Sequence, residues 1–269
     1  MDVIRILYIV AHPDDGEVYG GGTAALWAQA GHAVKFISMT DGSAGHHQLS
    51  GTELIDRRSR ESIVAAQRLG VDYEIMDNPD GQLEPTLYNR RRLIGAIREW
   101  QADVVVTHRP NDYHPDHRYT SQLVQDAAYL VLVPHLVAEV RPLRKNPVFL
   151  YFADHFQKPR PFSPDIAVAI DATIDRKLEA LHAHTSQFYE WLPWIEGAAE
   201  QVPEDEEDRL VWLRQRWSRP INEPTRASLI RWYGKEKGTA TQRAEAFEVC
   251  EYGHQPDEAT IRRLFPMIS

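Results

Sequence analysis

Short apolar, β-branched runs recur through the first two thirds of the chain: "VIRILYIV", "AVKFISM", "VDYEIM", "ADVVVT", "PVFLYF" and "DIAVAI". Each has the length of a strand, and none alternates strictly with polar residues, which predicts burial on both faces. Between them lie segments of helical period over 17–30, 52–69, 84–100 and 116–133. The first ends at Gly31 and the second at Gly70, and Thr52 is placed to cap the second. Strands alternating with helices of this length predict βαβ units and a doubly wound sheet. Later the pattern changes. A helix is predicted over 175–191, followed by a stretch holding Trp191, Trp194, Trp212, Trp217 and Trp232. Its "VPEDEEDR" segment puts acidic residues where a helix dipole favours them. The fold class expected is α/β: a Rossmann-like, mostly parallel sheet with helices on both faces over residues 1–187. An appended helical and loop region, 188–269, packs on that core without forming an independent domain.

The polar residues are distributed unevenly between the two edges of this sheet. The stretches after the first four strands read "AHPDDGE", "TDGSAGHH", "DNPDGQ" and "HRPNDYHPDH". The opposite loops, around "GHAVK", "LGVDY" and "EWQADV", carry little of the kind. Open parallel sheets bind ligands beyond the carboxyl ends of their strands, so the candidate site lies on that edge.

Composition narrows the classes. The chain has 269 residues, a formal net charge of -9 and no basic block, which argues against nucleic acid and anionic membranes as partners. No apolar run reaches the roughly 20 residues of a membrane span, and Asp2 and Arg5 interrupt the first one, so it reads as a strand rather than a secretory signal. Cys250 is the single cysteine, consistent with a cytoplasmic location. The 12 histidines cluster.

In "AHPDD", Pro13 suits the first turn of a helix, and residues three apart then converge. His12 and Asp15 point one way and Asp14 another. A histidine with a carboxylate suits a divalent ion, zinc above all. Catalytic zinc needs a third protein ligand and an open position for water. "HPDH" supplies that ligand, either His114 or His117, provided that strands one and four adjoin at a switch point. Asp14 is then free to act as general base, and His114 to stabilise an oxyanion with Asp116 orienting it. The chemistry expected is hydrolysis of an amide or ester. "GGGT" fits a dinucleotide fingerprint poorly, because His-Pro-Asp-Asp occupies the turn that pattern needs; the glycines are expected to permit close packing of helix on sheet, or a bound ligand's approach. His46 and His47 are expected on a solvated loop, and His108 as a brace for its own loop.

"AHPDDGE" together with "HPDH" resembles the PIG-L/LmbE-like family of zinc-dependent de-N-acetylases. The resemblance implies a Rossmann-type fold, His12, Asp15 and His117 as zinc ligands, and Asp14 as general base. It makes His114 the group that stabilises the oxyanion or protonates the leaving amine, with Asp116 behind it. "RRSRESIVAAQRLGV" is similar to the family's Arg-x-x-Glu helix and points to Arg58 as a substrate-side residue with Glu61 as companion. "DNPDGQL" matches a recurring loop, and "KLEALHAHTSQ" resembles a helix that brings His184 and Gln187 toward the substrate. Iron(II) suits the same ligands. The function implied is removal of an acetyl group from an N-acetylated amino sugar or its conjugate by zinc-activated water. The alternatives are another amide or carbamoyl substrate, or a non-catalytic sugar- or nucleotide-binding protein on the same fold. Exposed tryptophans of the appended region would serve sugar stacking or a homo-oligomer interface, against ordinary packing.

Overall fold

The structure, a computed structural model, describes residues 2–217 and 220–268. The strands are β1 (Arg5–Val10), β2 (Ala33–Thr40), β3 (Asp72–Asn78), β4 (Val104–Thr107), β5 (Val148–Phe152), β6 (Ile166–Ala169) and β7 (Ala244–Gly253). They form one sheet in the order β3-β2-β1-β4-β5-β7-β6. Neighbours among β1–β5 pair in parallel, and β7 runs antiparallel to both β5 and β6. Strands β1 and β4 adjoin, as the two His-Pro-Asp turns require, and the order reverses there. All six expected strand runs are present.

The helices between strands are α1 (Asp15–Gln29), α2 (Gly51–Leu69), α3 (Leu87–Trp100), α4 (Pro115–Leu130) and α5 (Ile174–Ala183). Beyond them lie α6 (Leu192–Ile195), α7 (Glu206–Trp217), α8 (Glu223–Tyr233), α9 (Lys235–Ala240) and α10 (Glu258–Leu264). Tyr8, Trp27, Phe36 and Phe152 anchor the core on the α1 face, while Leu93, Ile97, Leu123 and Phe149 anchor the α3–α4 face. Gly31 and Gly70 take positive φ where α1 and α2 end, as expected. At the start of α2 the cap position belongs to Ser50 rather than Thr52, and no side chain bonds there. The closing helix of the expected 175–191 segment divides: α5 stops at Ala183, and Ser186–Trp191 form a π-helical turn.

The region after 187 is mostly helical, but it also returns β7 to the sheet, between β5 and the edge strand β6. Two glutamates hide that strand in the sequence. Both are buried and partnered: Glu245 accepts from the Gly22 and Thr23 amides, the Thr23 hydroxyl and Lys177. Glu248 accepts from the Ser163 amide and Arg160. Glu245 thereby ties β7 to α1, and Trp27 Nε1 donates to the Leu264 carbonyl at 2.7 Å beside it.

The glycine run of α1 serves packing, as anticipated. The Tyr8 hydroxyl donates to the Gly20 carbonyl, and a Cβ on Gly20 would stand 2.6 Å from the Tyr8 ring, itself stacked on Phe36. Among the described residues, no helix is long and apolar enough to cross a membrane. Gly20→Val should therefore destabilise the fold by about 1–3 kcal/mol, the usual range for overpacking, as read by urea unfolding; an unchanged midpoint would contradict the close contact.

Candidate metal centre

The two turns meet above the β1/β4 junction. His12 and Asp15 come from the β1–α1 turn, and His117 from the first turn of α4. Pro115 occupies the first position of α4, as expected, with His114 as its cap. Pro13 does not occupy that place in α1: Asp14 is the cap residue and the helix begins at Asp15. The Asp14 and Asp15 amides both approach the His12 carbonyl, so a tight turn precedes the helix and still turns the residues three apart to one side. His12 Nδ1 lies 3.4 Å from Asp15 Oδ2, His117 Nε2 lies 3.4 Å from the same oxygen, and the two nitrogens are 3.2 Å apart. A tetrahedral zinc with bonds of about 2.0–2.1 Å separates its ligand atoms by about 3.3 Å. The three donor atoms thus already form one face of a zinc tetrahedron.

Several carboxylates surround these three side chains. Asp112 Oδ1 stands 3.1 Å from His117 Nδ1, on the side of the ring away from the triad. Asp116 Oδ2 and Asp80 Oδ1 each stand 3.3 Å from His12 Nε2. Asp116 is itself fixed by the amides of Gly81 and Leu83. Histidine ligands are commonly oriented in this way by carboxylates on their far nitrogen. Burial disfavours a cation at His12, but hydrogen bonds to Asp116, Asp15 and Asp80 outweigh it and hold its pKa well above the ordinary value. Burial also works against a charged Asp15, yet His117 and His108 keep its carboxyl well below the usual range. The cluster as a whole attracts positive charge.

The other two histidines are committed differently. His108 accepts the Ala11 amide at Nε2, and burial with His117 alongside pulls its pKa to about 4. Its lone pair is therefore used, and its ring stacks on His117 at 4.0 Å as a neutral support. His114 Nδ1 accepts the Asp116 amide, leaving the proton on Nε2. Burial, with His12 and His117 nearby, lowers the His114 pKa, so this residue stands as a neutral donor.

Asp14 Oδ1 lies 3.2 Å from the Arg58 guanidinium. Burial raises the Asp14 pKa against the opposing pull of Arg58. Arg58 is 2% exposed and also reaches the Pro13 and Gly42 carbonyls. Gly42 allows this approach: φ is +69° there, and a Cβ would stand 2.5 Å from the guanidinium. Glu61 pairs with Arg57 rather than with Arg58, and takes the Ser186 amide and hydroxyl. His184 is fully buried against Glu17, at 3.1 Å, one layer behind Asp14. Gln187 donates to the Gly45 carbonyl and so holds the loop after β2. The carboxylate of Asp116 faces His12, whereas His114 receives its amide. His46 is buried against Glu190, not solvated, and His47 stacks on Trp194 at 5.0 Å.

Asp80 and Asp112 escaped the sequence reading. Both lie in stretches already placed at this edge, "DNPDGQ" and "HRPNDYHPDH", but which carboxylate of a loop turns inward depends on backbone path.

A doubly wound α/β sheet with a His/Asp cluster that could hold a metal ion at its switch point defines the class of protein. This chain belongs to the PIG-L family, GlcNAc-PI de-N-acetylase, whose sequence pattern matches residues 7–128. It is 31% identical to the diacetylchitobiose deacetylase of Thermococcus kodakarensis over 214 residues, covering 74% of this chain and 77% of that protein. It is also 25% identical to the 4-oxalmesaconate hydratase of Pseudomonas putida over 193 residues, or 69% and 74% of the two chains. The fold is shared with the N,N'-diacetylchitobiose deacetylase of Pyrococcus horikoshii, with a TM-score of 0.68 at 24% identity over 93% and 84% of the chains.

If Asp112 orients His117 for a metal, Asp112→Ala should weaken zinc binding about 10–100-fold in a chelator competition. Equal affinity for wild type and variant would leave Asp112 without that role.

Proposed function

We propose that this chain is a zinc-dependent de-N-acetylase acting on an N-acetylated amino sugar or its conjugate, with His12, Asp15 and His117 as metal ligands. The observation that carries the reading is a spare carboxylate, Asp14, held by Arg58 beside a ligand triangle of zinc dimensions. The similarity to the diacetylchitobiose deacetylase of Thermococcus kodakarensis supports the amide-hydrolysing chemistry. Iron(II) would suit the same donors.

The chemistry that a bound zinc supplies is acidification of a water molecule and polarisation of an acyl oxygen. The residues do the rest. Asp14 accepts the water proton as oxygen attacks the acetyl carbon, and returns it to the amine nitrogen as the C–N bond breaks. Its burial keeps it basic enough for this task, and Arg58 holds its position as well as bounding the substrate side. His114 offers its Nε2–H to the oxygen on which negative charge develops. As the structure favours neutral His114, the donor is an imidazole, not a cation. Asp116 acts on His12 through its carboxylate and on His114 through its amide. His184, paired with Glu17, and Gln187, through the 41–45 loop, shape the floor and rim. The core is assigned to residues 1–187 and the appended region to 188–269.

Acetate release from N-acetylglucosamine conjugates, with and without chelator, tests the proposal. Release should require zinc. Asp14→Asn should lower kcat by about 10²–10⁴-fold while still binding metal. In the wild type, kcat/KM should fall toward acid as Asp14 takes up a proton, with no loss in mild alkali attributable to His114. Metal binding without release from any acylated substrate, or hydration of an unsaturated acid instead, would overturn the assignment.

A further inference from the structure

We propose that Tyr19 is a positioning residue for His117: its ring joins the two halves of the metal centre and holds the His117 imidazole in the plane that keeps Nε2 on the ligand triangle. The inference rests on His12, Asp15 and His117 as the metal ligands. Tyr19 lies four residues beyond Asp15 on α1, so the two side chains share one face of that helix. Its ring stands edge-on to His117 at 6.3 Å and to His108 at 5.5 Å, with interplanar angles of 82° and 90°. It also stacks on Phe152, a buried residue at the end of β5, at 5.5 Å and 27°. A side chain carried by α1 beside Asp15 thus reaches the imidazole carried by α4.

The other contacts of His117 leave this task open. Asp112 Oδ1 lies 3.1 Å from His117 Nδ1 but completes no aligned hydrogen bond with it, and a misaligned contact restrains a ring weakly. His108 lies nearly parallel to His117, at 4.0 Å and 20°, and is tied through Nε2 to the Ala11 amide at the end of β1. One stacked neighbour still allows a ring to slide. Tyr113 meets His117 at 5.5 Å and 69°, but it is 69% exposed and has little behind it. Tyr19 has Phe152 and its own helix behind it. Edge-to-face contact suits the charge distribution of aromatic rings. With His108 nearly parallel and Tyr19 nearly perpendicular, the imidazole is restrained from two directions.

The test measures zinc affinity by chelator competition and coordination geometry by the visible absorption of cobalt(II) bound in place of zinc. Tyr19→Leu should weaken zinc about tenfold, the lower end of the losses that follow removal of a ligand's outer support, and should alter the cobalt(II) spectrum. Tyr19→Phe keeps the ring and should match wild type in both. Tyr19 is half-buried and borders a cavity, so the protein tolerates its truncation; if Tyr19→Leu does not fold, Tyr19→Met carries the same expectation. Ile261→Val, at a buried position on α10, should lower stability without changing zinc affinity or the spectrum, which separates positioning from a general loss of stability. Wild-type affinity and spectrum in a folded Tyr19→Leu or Tyr19→Met protein would overturn the inference and leave the ligand set standing. So would a Tyr19→Phe protein that binds zinc normally yet loses acetate release as severely as Tyr19→Leu, because the hydroxyl would then be the working group. Wild-type protein that takes up neither metal would remove the ligand set, and the inference with it.

Discussion

The molecule depends on the approach of two histidines that are 105 positions apart in the chain, His12 and His117, to 3.2 Å. The proposed metal ligands are divided between two turns: the β1–α1 turn contributes one nitrogen and one carboxylate oxygen, and the start of α4 contributes the second nitrogen. They meet because β1 and β4 are neighbours and the strand order reverses between them. At that junction the chain leaves adjacent strands toward opposite faces, which opens a crevice between the two turns. Everything polar at this end of the sheet is arranged around the crevice.

The support is layered. Asp112 holds the far side of the His117 ring, Asp116 and Asp80 that of the His12 ring, and His108 braces His117 by stacking. Arg58 joins the Asp14 turn to the loop after β2. Behind it, Glu61 and Arg57 tie α2 to the π-helical turn at 186–191, whose Gln187 secures the same loop at Gly45. π-Helical turns are often found at functional sites. Here one aims Ser186, Gln187 and Glu190 at three partners that a regular α-helix from residue 174 would present differently. Several residues expected to meet substrate therefore also act as scaffolding, and Arg58 does so at 2% exposure.

The appended region contributes to the fold as well as to its periphery. β7 separates β5 from β6, and Glu245 on it receives both backbone amides and a hydroxyl from α1. Its return also places Ala244 and Glu245 in the lining of a cavity of about 420 Å³ that Trp217 and Ile221 line as well. Of the tryptophans, Trp232 and Trp217 mainly pack, the latter edge-on to Phe188. Trp191 and Trp194 stack on one another near His47, at the margin of the loop after β2.

Local sequence determined the elements whose signals are local. Six strands showed as apolar runs and four helices as periodic segments, and the His-Pro-Asp turns showed as polar clusters at strand ends, because a tight turn keeps its side chains within three or four adjacent positions. β7 was illegible since a strand is recognised by apolarity, and the buried partners that neutralise Glu245 and Glu248 lie far away in sequence. The same reason hid Asp80 and Asp112, and misplaced Glu61 and His46: a carboxylate or imidazole looks alike in sequence whether it faces water or a buried partner. Tertiary structure alone decided which donors point inward and which histidines are left neutral, since these follow from distances between segments that only the assembled sheet brings together.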